Sequence, residues 1–406
     1  MELEPRNDTP YEVSVLPFLS AGSTFHTVIV KATFSMAPEA TAEKAPEQIP
    51  LTGADIIGGE GPGAAARYES DFVPFKPKAD VLCVGKAHAP KGETATELLV
   101  RLCIGPVDKV IRVIGNRRWE QTFSGLRFRI SEPEPFESID VCYENAYGGM
   151  DPDDPEGYAS SELNPIGKGY TKKGKQLAGM PLPNLEDPTK PIRHWDDRMR
   201  PQSFGPVGRT WVPRIKRAGT YDANWLAQRS PELPEDFDDA FYNGAPADQQ
   251  IQGYLRGNEE IQIDNMHPAF RRFRCKLPGV RVRSLVNLTM DSKERLYEIP
   301  LNLDTLWVDM DALLMVLVWR GRLLDMPLTS DTNLLIVEEP LNTVPSQPES
   351  YRSRLLAFED AEKDAEREFD EAQEEVAAME SGSADSEVMN ASEPVSKVKT
   401  QDGSMV

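Results

Sequence analysis

The stretch FGPVGRTWVPRIKRAGTYDANW, residues 204–225, gathers three Arg, two Trp, a Tyr and an Asp among three Gly and two Pro. It follows neither helical nor strand periodicity. Gly205, Gly208 and Gly219 permit turns and close approach, while Pro206 and Pro213 fix local geometry, so the segment can be rigid without being regular. Arg209 and Arg214 supply planar donor forks that bond several carbonyls at once or pair with carboxylates such as Asp222. Trp211 and Trp225 offer faces on which a guanidinium stacks. Two readings follow. The segment is an internally clamped loop core, or, because Trp, Tyr and Arg carry interface energy, it is a recognition surface that includes Tyr221.

The other candidates for chemistry are weaker. His267, in IDNMHP, has Asp264 and Asn265 beside it, but the sequence displays neither a nucleophile nor a proton path. Its ring is expected to bond neighbouring backbone. A hydrolase or lyase using His267 with Asp264 or Asp222 stays open as an alternative. The run DPDDPEG at 151–157 could offer oxygens to calcium, but Pro152 and Pro155 interrupt it and no Glu closes the loop, so it reads as a solvated turn. GGEGPGAAA at 58–66 lacks the Lys and Ser/Thr of a phosphate loop and reads as a flexible connection. The four His, at 26, 88, 194 and 267, lie far apart, so a metal site would need tertiary contact alone. GxSxG and HExxH are absent from the sequence, and no dinucleotide fingerprint follows a strand. The expectation is a protein that is not an enzyme and that holds no cofactor or metal.

Strands must position these loops. Val28, Val30, Ala32, Phe34 and Met36 alternate with Thr27, Ile29, Lys31, Thr33 and Ser35, and the period of two returns in Leu98–Ile104 and in Leu126, Phe128 and Ile130. These read as half-buried antiparallel strands with polar partners facing water. Val280–Met290 resumes the pattern. LDTLWVDMDALLMVLVWRGRL at 303–323 reads as a hairpin turning at DMDA, its second strand apolar on both faces. Between about 136 and 270 apolar periodicity nearly vanishes, yet Trp195, Trp211, Trp225, Phe237, Phe241 and Tyr254 must pack somewhere. The predicted fold is mainly β with minor α: an antiparallel, sandwich-like body over 1–340 with a loop-rich middle.

After a polar linker at 341–350, an acidic helix is expected over 351–380 and a disordered tail over 381–406. From Glu359 to Glu380 there are eleven acids and two bases, with a thin seam of Ala365, Phe369, Ala372, Val376 and Met379. The seam is a weak stripe on a solvated helix or a partner-facing edge. The chain as a whole carries 66 acidic against 45 basic residues, a net charge of −21. That argues against nucleic acid and anionic lipid as partners and favours a basic one. The four Cys are widely spaced and read as reduced, buried thiols. The N-terminus lacks a signal-peptide pattern, and the longest strongly apolar run, eight residues at 312–319, is too short for a membrane helix, so a cytoplasmic protein is expected.

Six ordered segments carry a resemblance: ENAYGG (144–149), NPIGKGY (164–170), FGPVGRTWVPR (204–214), AGTYDANW (218–225), FYNGAPADQQ (241–250) and GYLRGNEEIQIDNMHP (253–268). Together they resemble a bacterial family named only as a domain of unknown function, whose members are encoded beside type VI secretion genes. The likeness runs from about Leu16 to about Arg322. It implies an adaptor or chaperone that holds a toxic effector in the cytosol and helps load it onto the secretion spike, a VgrG trimer or a PAAR tip. It brings no catalytic residues. Arg209, Trp211, Arg214, Tyr221, Asp222, Trp225, Asp248, Gln249, Gln250 and His267 are the motif positions taken as structural or partner-binding candidates. A structural subunit of the secretion particle is a further alternative, although internal repeats that would build a lattice are missing.

Overall fold

The computed structural model describes residues 5–355 apart from 21, 59–64, 123–126, 155, 157–158, 291–292 and 324–331, together with Arg367 and Gln373. The chain divides into two compact units, Met1–Pro348 and Glu349–Val406. The expected acidic helix at 351–380, apart from 351–355, Arg367 and Gln373, and the tail at 381–406 lie outside the described residues.

The first unit is β-rich, with short helices, as the alternating patterns require. In its largest sheet the long strand Ser23–Ser35 lies between Glu12–Ser20 and Leu314–Leu323, antiparallel to both. Leu314–Leu323 forms a hairpin with Asn302–Asp309. The turn forms where DMDA places it, because the Asp309 carboxylate accepts the amides of Asp311 at 3.0 Å and Ala312 at 3.1 Å. Asn302–Asp309 then runs parallel to Ala79–Val84, whose far edge carries the short strand Gln250–Ile251. A second sheet contains the hairpin Glu97–Ile104 and Val107–Ile114 with Glu260–Asp264 and Arg272–Lys276. In a third, Val280–Met290 sits between Lys293–Ile299 and Leu334–Pro340.

The sheets are mixed rather than purely antiparallel. Pro5–Asn7 joins Leu334–Pro340 in parallel, as Ala79–Val84 joins Asn302–Asp309, because each pair is separated by a long stretch of chain that can cross over. One face of the large sheet, with Val28, Val30, Ala32 and Phe34, packs with Val100, Leu102, Ile104, Ile261, Ile263 and Val286 of the other sheets in a single core. Its opposite face is buried as well. Ile29, Leu82, Trp307, Val316 and Val318 pack there against Tyr68 and Ala245, which arrive on the loops.

That second burial corrects the expectation of half-buried strands. Thr27, Lys31 and Thr33, read as facing water, are buried. Their alternation records a polar inner layer, because loop residues 48–50 and 71–74 supply partners to the face, among them Gln48, Pro50, Asp71 and Pro74. The strand Phe128–Ile130 departs in the other direction: among the described residues it pairs with Trp119–Gln121 alone, and Phe128 is exposed. Leu126 lies outside the described residues.

Candidate functional site

The 204–225 stretch splits into two parts with opposite roles. Its first half is an internal clamp. Arg214 opens no regular long helix but sits in the single turn Val212–Ile215, where Pro213 pre-sets the backbone. Its guanidinium donates to the Glu69 carboxylate, to the Val207 carbonyl at 2.8 Å and to the Phe241 carbonyl at 2.8 Å, and it lies over the Phe241 ring. Arg214 is buried, as is Glu69. Trp211 is also buried and meets Tyr143 edge to face at 5.0 Å. The indole packs so close to Gly208 that a Cβ there would meet it at 2.6 Å. Gly244 is equally constrained, since a Cβ would lie 1.7 Å from the Glu69 carboxylate.

Arg209 is a lesser member. It donates from Nε to Asp55 at 3.0 Å and lies 3.5 Å from Glu69, with its side chain about a quarter exposed, at 27%. Asp222, offered as a partner for these arginines, has another task. It caps the helix Ala223–Gln228 by accepting the Trp225 amide at 2.8 Å.

Glu69 links this clamp to a buried ionic layer that sequence reasoning missed. Lys31 bonds Asp71 at 2.9 Å and the Pro50 carbonyl at 2.8 Å, and the Tyr68 hydroxyl donates to Asp71 at 2.6 Å. Arg320 donates to the Asp71 carbonyl at 2.8 Å and pairs with Asp304. Lys76 pairs with Asp80 at 2.7 Å, and Asp80 also accepts Asn243 at 2.9 Å and the Gly244 amide at 2.8 Å. Burial pushes the Lys31 ammonium down against the pull of Asp71, and pushes the Asp304 carboxyl up against the pull of Arg320. The void beside these groups, lined by Tyr68, Asp71, Thr305 and Arg320, holds only about 10 Å³. That is the space of one water and no substrate. The layer therefore fastens the loops to the sheet.

The second half of the stretch is an exposed arm. Tyr221 and Trp225 meet at 4.7 Å, and the indole Nε1 of Trp225 donates to the Glu232 carbonyl at 2.8 Å. Asp236 holds the Thr220 amide at 2.9 Å and the Thr220 hydroxyl at 2.8 Å. The Asp238 amide bonds the Arg217 carbonyl at 2.9 Å, and Phe237 packs on Phe241 and Tyr242. On this tied scaffold Ile215 is 45% exposed, Tyr221 53% and Leu226 66%, with Leu233 exposed beside them. The arm also carries exposed charges of both signs: Asp222, Glu235, Asp236 and Asp238 alongside Lys216, with Arg217 3.7 Å from Asp238 and Arg229 3.4 Å from Glu235.

The remaining motif residues are structural. Gln249 is fully buried and donates to the Val81 carbonyl at 2.8 Å and the Phe204 carbonyl at 2.9 Å, while its oxygen accepts Lys109 at 2.9 Å. Asp248 pairs with the same lysine at 3.1 Å. Gln250 donates to the Ala245 carbonyl at 2.7 Å. His267 accepts the Ala269 amide on Nδ1 at 3.1 Å and stacks on Phe270 at 4.8 Å, whereas Asp264 is engaged by Gln262 and Arg272. The structure thus gives His267 and Asp264 separate partners, and Asp222 belongs to the arm.

Around 151–156 the expected turn forms, and Glu156 is exposed, but the three Asp are not simply solvated. Asp151 is buried, and Asp153 and Asp154 accept the amides of Lys175 at 2.8 Å and Ala159 at 2.6 Å. Among the described residues no group of three His, Cys, Asp or Glu could hold a metal ion. A cavity of about 340 Å³ is lined by Arg67, Cys142, Tyr143 and Glu144 among others. Burial, with Glu144 beside it, pushes the Cys142 thiol up to about 12, which leaves it protonated and a poor nucleophile.

No helix among the described residues is long and apolar enough to cross a membrane. No curated protein and no solved structure matches the chain. The model of a bacterial family described as "uncharacterized protein conserved in bacteria (DUF2169)" matches residues 21–320. That span contains the clamp, the ionic layer and the arm, and covers well over half of the 406 residues, so the chain belongs to the DUF2169 family.

Proposed function

We propose that this protein is a non-catalytic adaptor that binds a type VI secretion toxin in the cytosol and aids its loading onto the VgrG/PAAR spike. The observation that carries the reading is the arm: Ile215, Tyr221, Leu226 and Leu233 stand exposed on a backbone held by side-chain and indole hydrogen bonds. A surface ordered before binding loses little entropy when a partner arrives. The exposed apolar side chains and the net charge of −21 favour a basic partner that offers an apolar patch. The resemblance of the six motifs to proteins encoded beside type VI secretion genes supplies the class of partner. Titrating the toxin encoded beside this gene into the purified protein tests the reading. Tyr221→Ser combined with Leu226→Ser is expected to raise Kd by about 10-fold or more, with an unchanged melting temperature. Undiminished affinity in that variant would remove the arm from the interface.

A further inference from the structure

In a chain with a large acidic excess, one cavity has twice as many lysines and arginines as acids in its wall. It measures about 390 Å³ and is formed by the loop that runs from Asp187 to Arg200, with Lys190, Arg193, Arg198 and Arg200 in its wall. The loop is anchored from beneath. Ile192 is buried, and Trp195 and Met199 pack on a small core with Trp119, Tyr147 and Leu177. The backbone of the cavity is therefore held while its charged groups remain in solvent.

The two acids in the wall are already engaged. Asp197 accepts the amides of Arg193 at 2.8 Å and His194 at 2.9 Å. Burial raises the Asp197 carboxyl, but these two amides outweigh it and hold the group below the usual range. Asp187 accepts the Thr189 hydroxyl at 2.7 Å and the Thr189 amide at 2.8 Å. Neither acid forms a salt bridge with Lys190, Arg193 or Arg200 among the described residues. Arg198 lies over the Tyr170 ring at 5.7 Å, and Tyr170 meets Tyr147 edge to face. The Tyr147 hydroxyl behind them is buried without a well-formed hydrogen bond, within electrostatic reach of Arg198.

Four cations against two anions leave the wall with a local charge of about +2, and three of the cations are guanidinium forks suited to bidentate oxygen pairs. A phosphate group carries roughly −1.5 to −2 at neutral pH and presents three acceptor oxygens. We propose that this cavity binds a phosphate dianion, free or as the ester of a small molecule. Arg193, Arg200 and Lys190 grip the oxygens, and Arg198, oriented by Tyr170, closes the inner side. The cavity lies within the 300–1,000 Å³ or so typical of small-molecule sites, so it has room for more than the phosphate itself. This site is independent of the exposed arm.

Calorimetry on the full chain at low ionic strength tests the proposal, with inorganic phosphate, ribose 5-phosphate and succinate as probes in a chloride buffer. Saturable one-site binding of a phosphate probe is expected. Tighter binding of ribose 5-phosphate marks an ester as the natural ligand, and equal binding marks the free anion. Arg193→Ala with Arg200→Ala should weaken binding by about 10- to 100-fold, with the melting temperature retained because both side chains are exposed. Arg198→Gln should weaken it independently. No saturable heat with either phosphate up to about 10 mM, succinate bound as tightly, or a double variant that binds like the parent would each overturn the assignment.

Discussion

Arg214 and Arg209 are five residues apart in one motif, yet burial separates their consequences. Arg214→Ala leaves the Glu69 carboxylate and the Val207 and Phe241 carbonyls without their donor in a buried setting. A loss of about 3–5 kcal/mol in urea unfolding is expected. Lysine cannot restore it, lacking the fork that reaches three acceptors. Arg209→Ala removes a pair with Asp55 whose side chains are each about a quarter exposed, and about 1 kcal/mol or less is expected. The sequence displayed both arginines and their rigid frame but not this ranking, because nothing within residues 204–225 reveals that Glu69 and Phe241 will arrive from elsewhere. Lys31 misled for a related reason. A lysine in an alternating strand ordinarily faces water, and only the covering loop, with Asp71 and Pro50, turns that face inward.

The strands were legible where a local pattern and a local turn agree, as in the hairpin Asn302–Asp309 with Leu314–Leu323. They were least legible where long-range pairing decides, as for the parallel neighbour Ala79–Val84. The end of the third sheet shows a similar dependence. Arg283, at an alternating polar position of Val280–Met290, is buried, donating to Glu298 at 2.6 Å, Glu339 at 3.0 Å and the Ser346 carbonyl at 2.7 Å. Its neighbour Arg281 donates to the Leu341 carbonyl at 3.2 Å. Residues 341–346, polar and read as linker, thus serve as acceptors for the sheet. A chain ending at 340 is expected to unfold about 1–3 kcal/mol more easily than one ending at 348 in parallel denaturant titrations. Equal stability would mean that these carbonyls are replaced by water at no loss.

The charge balance also sets a response to acid. His88 and His267 are both held below the ordinary value of 6.5, chiefly by burial, with Asp311 pulling each upward and His267 lowering His88. Between their folded values and 6.5 the unfolded chain binds more protons than the folded one, so stability falls as pH drops through that window. His88→Asn with His267→Asn is expected to flatten the difference between urea midpoints at about pH 7.5 and pH 5. The candidate site was legible in part: the motif at 204–225 was visible, but its division into an inner clamp and an outer arm depends on Glu69, Asp236 and Glu232 closing around it. Within this architecture the buried layer holds the loops, and the arm is the surface assigned to a partner by the proposed function. Hydrogen exchange on the protein, alone and saturated with the proposed toxin partner, addresses that division most directly. Protection by the toxin concentrated in residues 212–235, with the clamp around Arg214 already slow in the free protein, is the expected result. Protection confined to other surfaces, or no change anywhere at saturating toxin, would contradict the proposed role of the arm as a docking surface.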